Sequence, residues 1–92
     1  MHNYRTGHPA LVYDDMGKKY GYVSLTHSPK TWGIKNIPLK ENPVSTDKQA
    51  AYILPDPYTD KKRVFAKTHK KYKIGKKNRY WFNKVKKKPY KK

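Results

Sequence analysis

The chain has 92 residues, of which 35% are hydrophobic and 32% are charged, and it contains no cysteine. This length suits one domain with a thin core, and the missing cysteine excludes disulfide bonds and cysteine-based zinc sites. No apolar run approaches the roughly 18 residues of a membrane-spanning helix, so no membrane partner is expected. The four histidines lack metal-ligand spacing, which predicts no metal and no cofactor. The N-terminal residues lack the apolar core of a signal peptide, which favours a cytoplasmic protein.

The formal net charge of +17 is concentrated in the second part of the chain. Residues 1–60 carry 7 Lys/Arg and 6 Asp/Glu, whereas residues 61–92 carry 16 Lys/Arg and no acidic residue. Such a block repels itself and favours a polyanionic partner, either a nucleic acid or an acidic protein. A solvated tail is the alternative, but apolar residues recur within the block, which favours a bound polyanion.

The N-terminal part predicts a β-hairpin. Two apolar runs, Ala10–Tyr13 and Tyr20–Leu25, are separated by the turn-forming stretch DDMGKK. A hairpin with arms of equal length brings the residues before its first strand close to those after its second. We therefore expect His8 to lie near Thr26 and Ser28.

These polar residues could carry acid–base chemistry on a nucleic acid. A histidine at the rim of a sheet can take a proton from a ribose 2′-hydroxyl or give one to a leaving oxygen. The hydroxyls of Thr26 and Ser28 can donate to a phosphate oxygen. The alternative is that these residues only end the strands and face water, and the residues alone favour this alternative for His8.

The middle of the chain predicts short strands separated by loops. Within the loop-like residues 30–48, a short strand is expected at Ile37–Lys40. A second, buried strand is expected at Ala50–Leu54, before Pro55. The stretch TDKK, Thr59–Lys62, predicts a polar turn that leads into a helical turn at Lys61–Phe65.

A helix is predicted after Gly75, because Trp81, Phe82 and Val85 form one apolar stripe at helical spacing. Asn78 is expected to cap the start of this helix, Pro89 to end it, and residues 90–92 to fray. The predicted fold class is therefore α+β and mostly β: one small domain over residues 1–88, with a C-terminal helix, followed by a basic tail over residues 89–92.

The basic block also contains aromatic residues, a combination typical of nucleic-acid binding. Aromatic rings stack on unpaired bases while cations follow the phosphates. Lysine outnumbers arginine by 20 to 3, which favours loose phosphate contacts over bidentate base recognition. Trp32, in a loop, either stacks on a base or holds the loop against the core. The predicted nucleic-acid-binding residues are Lys61, Lys62, Arg63, Lys67, Lys70, Lys71, Tyr72, Lys73, Lys76, Lys77 and Arg79.

The order of these elements resembles the MazF/PemK family of toxin endoribonucleases. The matching stretches are HPALVY (His8–Tyr13), YVSLTHS (Tyr22–Ser28) and AAYILPDPYTDKKRVF (Ala50–Phe65), followed by the helix after Asn78. The most specific part is TDKKR, Thr59–Arg63, and the resemblance covers most of residues 7–88. It implies a small SH3-like, partly open barrel that forms a homodimer.

The same resemblance implies metal-independent cleavage of single-stranded RNA through attack of a 2′-hydroxyl on the adjacent phosphate. It also implies an acidic antitoxin protein as a partner. His8 occupies the position of the family's arginine, with Arg5 three residues earlier, and Thr26 and Ser28 would hold the scissile phosphate. A non-enzymatic nucleic-acid-binding module, ribosome-associated or phage-encoded, is the alternative. An adaptor whose cationic tail docks on an acidic protein is a third interpretation.

Overall fold

The computed structural model describes residues 2–4, 9–43, 48–68 and 74–91, with the backbone alone for residues 2–4 and 66–68. In chain order its elements are β1 (His2–Tyr4), β2 (Pro9–Asp15), β3 (Lys19–Thr26), β4 (Lys30–Thr31), β5 (Ile34–Lys35), β6 (Ile37–Pro38), β7 (Tyr52–Ile53), β8 (Tyr58–Lys61), a 3₁₀ turn (Lys62–Val64), β9 (Phe65–Thr68) and α1 (Gly75–Lys86). The strands pair in an antiparallel manner, which confirms the predicted α+β, mostly β class with a C-terminal helix.

The predicted first hairpin is confirmed as the β2–β3 pair. Its register runs from Ala10 opposite Ser24 to Asp15 opposite Tyr20. The turn is closed by Asp15, whose Oδ1 accepts a hydrogen bond of 3.0 Å from the backbone N–H of Gly17. A bulge between Val12 and Asp14 leaves Tyr13 without a partner in the ladder and increases the local twist.

Strand β3 is the centre of the sheet. It pairs with β2 along one edge, while its other edge pairs with β8 at Lys19–Tyr22 and with β7 at Leu25–Thr26. Beyond β2 the order continues through β1 to β9. Because successive side chains of β3 point to opposite faces, this strand has apolar groups on both faces.

The sheet is curled but not closed. Strands β8 and β9 are joined by the three-residue 3₁₀ turn, although β3, β2 and β1 lie between them in the sheet. Across a flat sheet four strand steps measure about 19 Å, whereas this connection spans at most about 14 Å. Curling brings the ring of Phe65, at the start of β9, to 5.4 Å from the Tyr20 ring and 5.2 Å from the Tyr22 ring.

One face of the sheet packs against α1. Phe82 and Val85 are buried against Val23, Leu25 and Ile53. Burial of each such side chain contributes about 1.5–3 kcal/mol, so this seam supplies much of the thin core. The predicted apolar stripe is confirmed, with Trp81 half-buried at its margin.

Asn78 does not cap the helix, contrary to the prediction. The helix begins three residues earlier, and Asn78 is fully buried on its inner face. Its Oδ1 accepts hydrogen bonds from the backbone N–H of Lys40 (3.0 Å) and of Glu41 (3.4 Å), and its Nδ2 donates to the Glu41 carbonyl (2.6 Å). This amide therefore joins α1 to the segment after β6.

Two further predictions are corrected by backbone pairing. Thr59 and Asp60 lie in β8 and not in a turn, because they pair with Gly21 and Tyr20 of the central strand. The helical turn expected after them is present as the 3₁₀ turn. The end of the chain also differs from a frayed tail, since the backbone N–H of Lys91 donates a 2.8 Å hydrogen bond to the Pro57 carbonyl.

The Tyr90 side chain is docked on the sheet. Its hydroxyl donates a 2.6 Å hydrogen bond to Oδ2 of Asp14, and its ring stacks on that of Tyr13 with centroids 6.2 Å apart. The ring occupies the space above Gly21, where an added β-carbon would lie 2.6 Å from Cζ of Tyr90. Burial of the hydroxyl, which has the largest effect, and its hydrogen bond to Asp14 raise the pKa of Tyr90 far above its usual range.

Candidate nucleic-acid interface

The face of the sheet opposite α1 carries a row of aromatic rings, which we call the aromatic row. Tyr20 and Tyr22 point to this face because they alternate along β3 with Gly21 and Val23. Successive rings lie 5.2–6.4 Å apart in the order Trp32, Tyr58, Tyr22, Phe65 and Tyr20. The row therefore connects two features at its ends, a cationic cleft beside Tyr20 and a second cleft beside Trp32.

The cationic cleft is an open depression of about 500 Å³. Strand pairing forms it, since Lys19 lies directly opposite Lys61 and the backbone N–H of Lys62 donates to the Lys18 carbonyl at 3.3 Å. Its lining residues are all basic: Lys18, Lys19, Lys61, Lys62 and Arg63. The cleft thus concentrates positive charge from two segments that are about 40 residues apart in the sequence.

Lys62 has an acidic partner at the edge of this cleft. Its Nζ lies 2.7 Å from Oδ1 of Asp15 and 5.0 Å from the centre of the Tyr20 ring. The contact with Asp15 raises the pKa of Lys62, and the same contact lowers the pKa of Asp15. Among the described residues, no salt bridge is formed by Lys18, Lys19, Lys61 or Arg63.

The like charges of Lys19 and Lys61 face each other directly across the β3–β8 ladder. Such a pair destabilises an antiparallel sheet by up to about 1 kcal/mol. An anion bound between the two ammonium groups would relieve this repulsion.

The second cleft, the Trp32 cleft, is formed by the short β4–β5 hairpin and the segment before β8. Trp32 and Gly33 are the two turn residues of this hairpin, with φ angles of 51° and 76°. The Trp32 side chain is 80% exposed, and its ring contacts that of Tyr58 edge-on at 71°. Asn36 and Asp56 also line this cleft. Burial, followed by the charge of Asp56, raises the pKa of Tyr58.

Thr26 and Ser28, two of the predicted catalytic residues, are brought together in one turn. Thr26 ends β3, and its Oγ1 accepts a 3.2 Å hydrogen bond from the backbone N–H of Ser28. The Ser28 carbonyl accepts a 3.0 Å hydrogen bond from Nδ2 of Asn36. Through Asn36, this turn adjoins the Trp32 cleft. The other two predicted catalytic residues, His8 and Arg5, lie outside the described residues.

The predicted nucleic-acid-binding residues have three different outcomes. Lys61, Lys62 and Arg63 line the cationic cleft. Lys76, Lys77 and Arg79 are exposed in the first part of α1 and do not line it, and Lys77 pairs with Glu41 at 3.2 Å. The side chain of Lys67 and the whole of Lys70, Lys71, Tyr72 and Lys73 lie outside the described residues.

Sequence reasoning missed two of the five residues that line the cationic cleft and most of those that line the Trp32 cleft. Lys18 and Lys19 stand in the balanced part of the chain, so the charge count did not distinguish them. The signal that could have revealed Lys18 and Lys19 is the presence of two KK dipeptides, one at the end of the hairpin turn and one in TDKKR, on strands that could pair. Asn36 and Asp56 carried no comparable signal, because their role depends on backbone segments that meet only in the fold.

No family model matches this sequence, and neither the curated proteins nor the solved structures contain a match. The resemblance to the MazF/PemK family therefore stays a prediction. No helix within the described parts of the chain has the length and apolar character needed to cross a membrane. Over the same residues, no group of three or more His, Asp or Glu side chains is placed to hold a metal ion.

Proposed function

We propose that this protein binds single-stranded RNA along the cationic cleft and the aromatic row. The observation that supports this most is the cationic cleft, a single depression lined by five basic residues, one of which, Lys62, has its Nζ 5.0 Å from the centre of the Tyr20 ring. Phosphates would occupy the cleft, and the strand would pass the aromatic row, whose middle ring Tyr22 is buried, to reach the exposed ring of Trp32. Cations that follow phosphates and rings that accept unpaired bases are the two requirements for binding a single strand.

The exposure of Trp32 favours a single strand over a duplex. A base reaches an aromatic face only when it is unstacked and unpaired. The predominance of lysine favours phosphate contacts that do not depend on sequence. We also propose that the protein acts on RNA in the cytoplasm, forms a homodimer and binds an acidic protein segment, as the sequence implies.

Replacement of Lys61 by glutamate tests the proposal. We expect the affinity for an eight-nucleotide oligouridine at low salt to fall by at least about tenfold. The slope of log K against log salt should decrease by about one, since a phosphate contact is lost. At the same time the variant should be as stable as the wild type or more stable by up to about 1 kcal/mol, because a repulsive cross-strand pair becomes attractive. Fluorescence anisotropy and urea unfolding measure the two effects.

Lys88→Glu is the matched control. Lys88 is exposed just beyond α1 and does not line the cleft, so the same change of charge should alter the affinity and salt slope much less. If the two variants lose affinity equally, the protein's net charge and not the cleft determines binding. Absence of any binding by the wild type would refute the proposed function.

Cleavage of the bound strand is the second candidate function, and it is favoured by the position of the Thr26–Ser28 turn beside the Trp32 cleft. The test is incubation of a long single-stranded RNA with the protein in EDTA, followed by end-group analysis. Fragments that end in 2′,3′-cyclic phosphate, and that disappear with Thr26→Ala and His8→Ala, would establish cleavage. RNA that is bound but stays intact would leave a binding protein without nuclease activity.

A further inference from the structure

We propose that one guanine base of the RNA stacks on the exposed Trp32 ring at the mouth of the Trp32 cleft, with its edge facing Asp56; the cleft itself, of about 10 Å³, is too small to admit the base. This inference rests on the proposed function, and it adds base preference to a surface that otherwise contacts phosphates. Three independent observations carry it: the backbone conformation of Trp32, the hydrogen-bonding groups of the cleft, and the charge of the protein.

The conformation of Trp32 is unfavourable for a bulky residue. Its φ of 51° lies in the left-handed region, where asparagine and glycine are preferred in a two-residue hairpin turn. The ring is nonetheless mostly exposed, so burial in this chain offsets little of the strain. Strain of this kind occurs at binding sites, where a side chain is held ready for a ligand. The flat ring of a base is the ligand that an exposed indole face suits.

The polar groups of the cleft are hydrogen-bond acceptors that need donors. Asn36 is only 6% exposed. Its Nδ2 donates two hydrogen bonds, one to the Ser28 carbonyl and one to Oγ1 of Thr31. Its Oδ1 is buried and has no partner among the described residues. Asp56 adds a carboxylate, and no lysine or arginine lines the cleft. A ligand that presents hydrogen-bond donors along one edge would suit the Asp56 carboxylate.

Guanine fits this requirement better than the other bases. Its N1–H and exocyclic N2–H₂ lie side by side, so they can donate two parallel hydrogen bonds to one carboxylate. Adenine and cytosine offer only an exocyclic amine on that edge, and uracil offers only its ring N–H.

An ammonium group is the other ligand that two aromatic rings and a carboxylate could hold. The formal net charge of +17 opposes the approach of a cationic peptide, whereas it attracts a base carried on a phosphate chain. The aromatic row also leads from the Trp32 cleft to the cationic cleft, so one strand can reach both. The net charge of the protein and the position of the Trp32 cleft relative to the cationic cleft therefore favour a nucleobase.

The test compares two eight-nucleotide RNAs of equal charge, an oligouridine and the same chain with one central guanosine. We expect the wild type to bind the guanosine-containing RNA about tenfold more tightly. In Trp32→Asn this preference should disappear and both affinities should fall. This variant keeps a favourable Asn-Gly turn, so its melting temperature should equal or exceed that of the wild type. Asp56→Asn should remove most of the preference while leaving oligouridine bound at least as tightly.

Tyr80→Ala is the control, because Tyr80 is also an exposed aromatic residue, at 62%, but it lies on α1. It should keep the full guanine preference. Equal binding of the two RNAs by the wild type, or a preference that survives Trp32→Asn, would overturn the guanine site while leaving RNA binding intact. Competition by tetramethylammonium without any base preference would overturn it in favour of a cation site. Failure of the wild type to bind either RNA would refute the proposed function itself.

Discussion

Replacing Asn78 with alanine should lower the free energy of unfolding by about 2–4 kcal/mol. This is the largest effect that we expect from the loss of one buried hydrogen-bonding side chain in this protein. The change removes three hydrogen bonds to the backbone of Lys40 and Glu41 and leaves a cavity beside Phe82 and Val85. A chain with a core this small has little stability in reserve. Urea unfolding followed by tryptophan fluorescence measures the loss.

Asn83→Ala provides the comparison, since Asn83 is exposed on the same helix. Alanine favours helix over asparagine, so this variant should be neutral or slightly more stable. If the two substitutions had the same effect on stability, the hydrogen bonds of Asn78 to residues 40 and 41 would contribute nothing measurable to it.

The second large effect is expected from Gly21→Ala, which should lower the free energy of unfolding by about 2–3 kcal/mol. The added methyl group would overlap the ring of Tyr90, so the ring must leave its place on the sheet. Undocking removes the stacking on Tyr13 and the hydrogen bond to Asp14. In a Tyr90→Ala background the same glycine substitution should be nearly neutral, because the clash no longer exists. A double-mutant cycle measures this difference, and equal costs in the two backgrounds would contradict the assignment.

Alkaline unfolding supplies an independent measure of the same contact. Below the ordinary tyrosine pKa of 10.0 the Tyr90 hydroxyl is neutral in both states, and its hydrogen bond contributes fully. Since folding raises this pKa, the unfolded chain loses the proton first as the pH rises above about 10, and the contribution is then lost progressively. The stability difference between the wild type and Tyr90→Phe should therefore shrink above that pH. The difference should be insensitive to pH in the Gly21→Ala background.

Sequence patterns predicted the secondary-structure elements that neighbouring residues alone determine. Alternation and turn residues predicted the β2–β3 hairpin, and helical spacing predicted that Phe82 and Val85 are core residues. Asn78 was misassigned because its residue type favours a cap, while its burial depends on a loop far away in the sequence. TDKK was predicted as a turn because its side chains are polar. This stretch instead forms β8, which is held to one edge of β3 by backbone hydrogen bonds, so its side chains need not alternate between apolar and polar.

Only the part of the candidate site that consists of neighbouring residues could be predicted from the sequence. Charge counting found Lys61, Lys62 and Arg63, because a basic run is visible without a fold. It could not find Lys18 and Lys19, which join the cleft through the β3–β8 register. Trp32 was recognised as a residue that either stacks or anchors, and only its exposure and its positive φ favour stacking.

The hydrogen bond between Asp14 and Tyr90 joins residues 76 positions apart. During synthesis on the ribosome, the β2–β3 hairpin emerges early, but the strands that cover the outer edge of β3 and the helix that covers its apolar face come later. Until then the nascent chain presents an open edge on a strand that is apolar on both faces, which is the arrangement most prone to pairing with another chain. Tyr90 can therefore close over Gly21 only after these strands and the helix have been synthesised. A chain that stops before Tyr90 would carry the whole cationic cleft and still lack this closure.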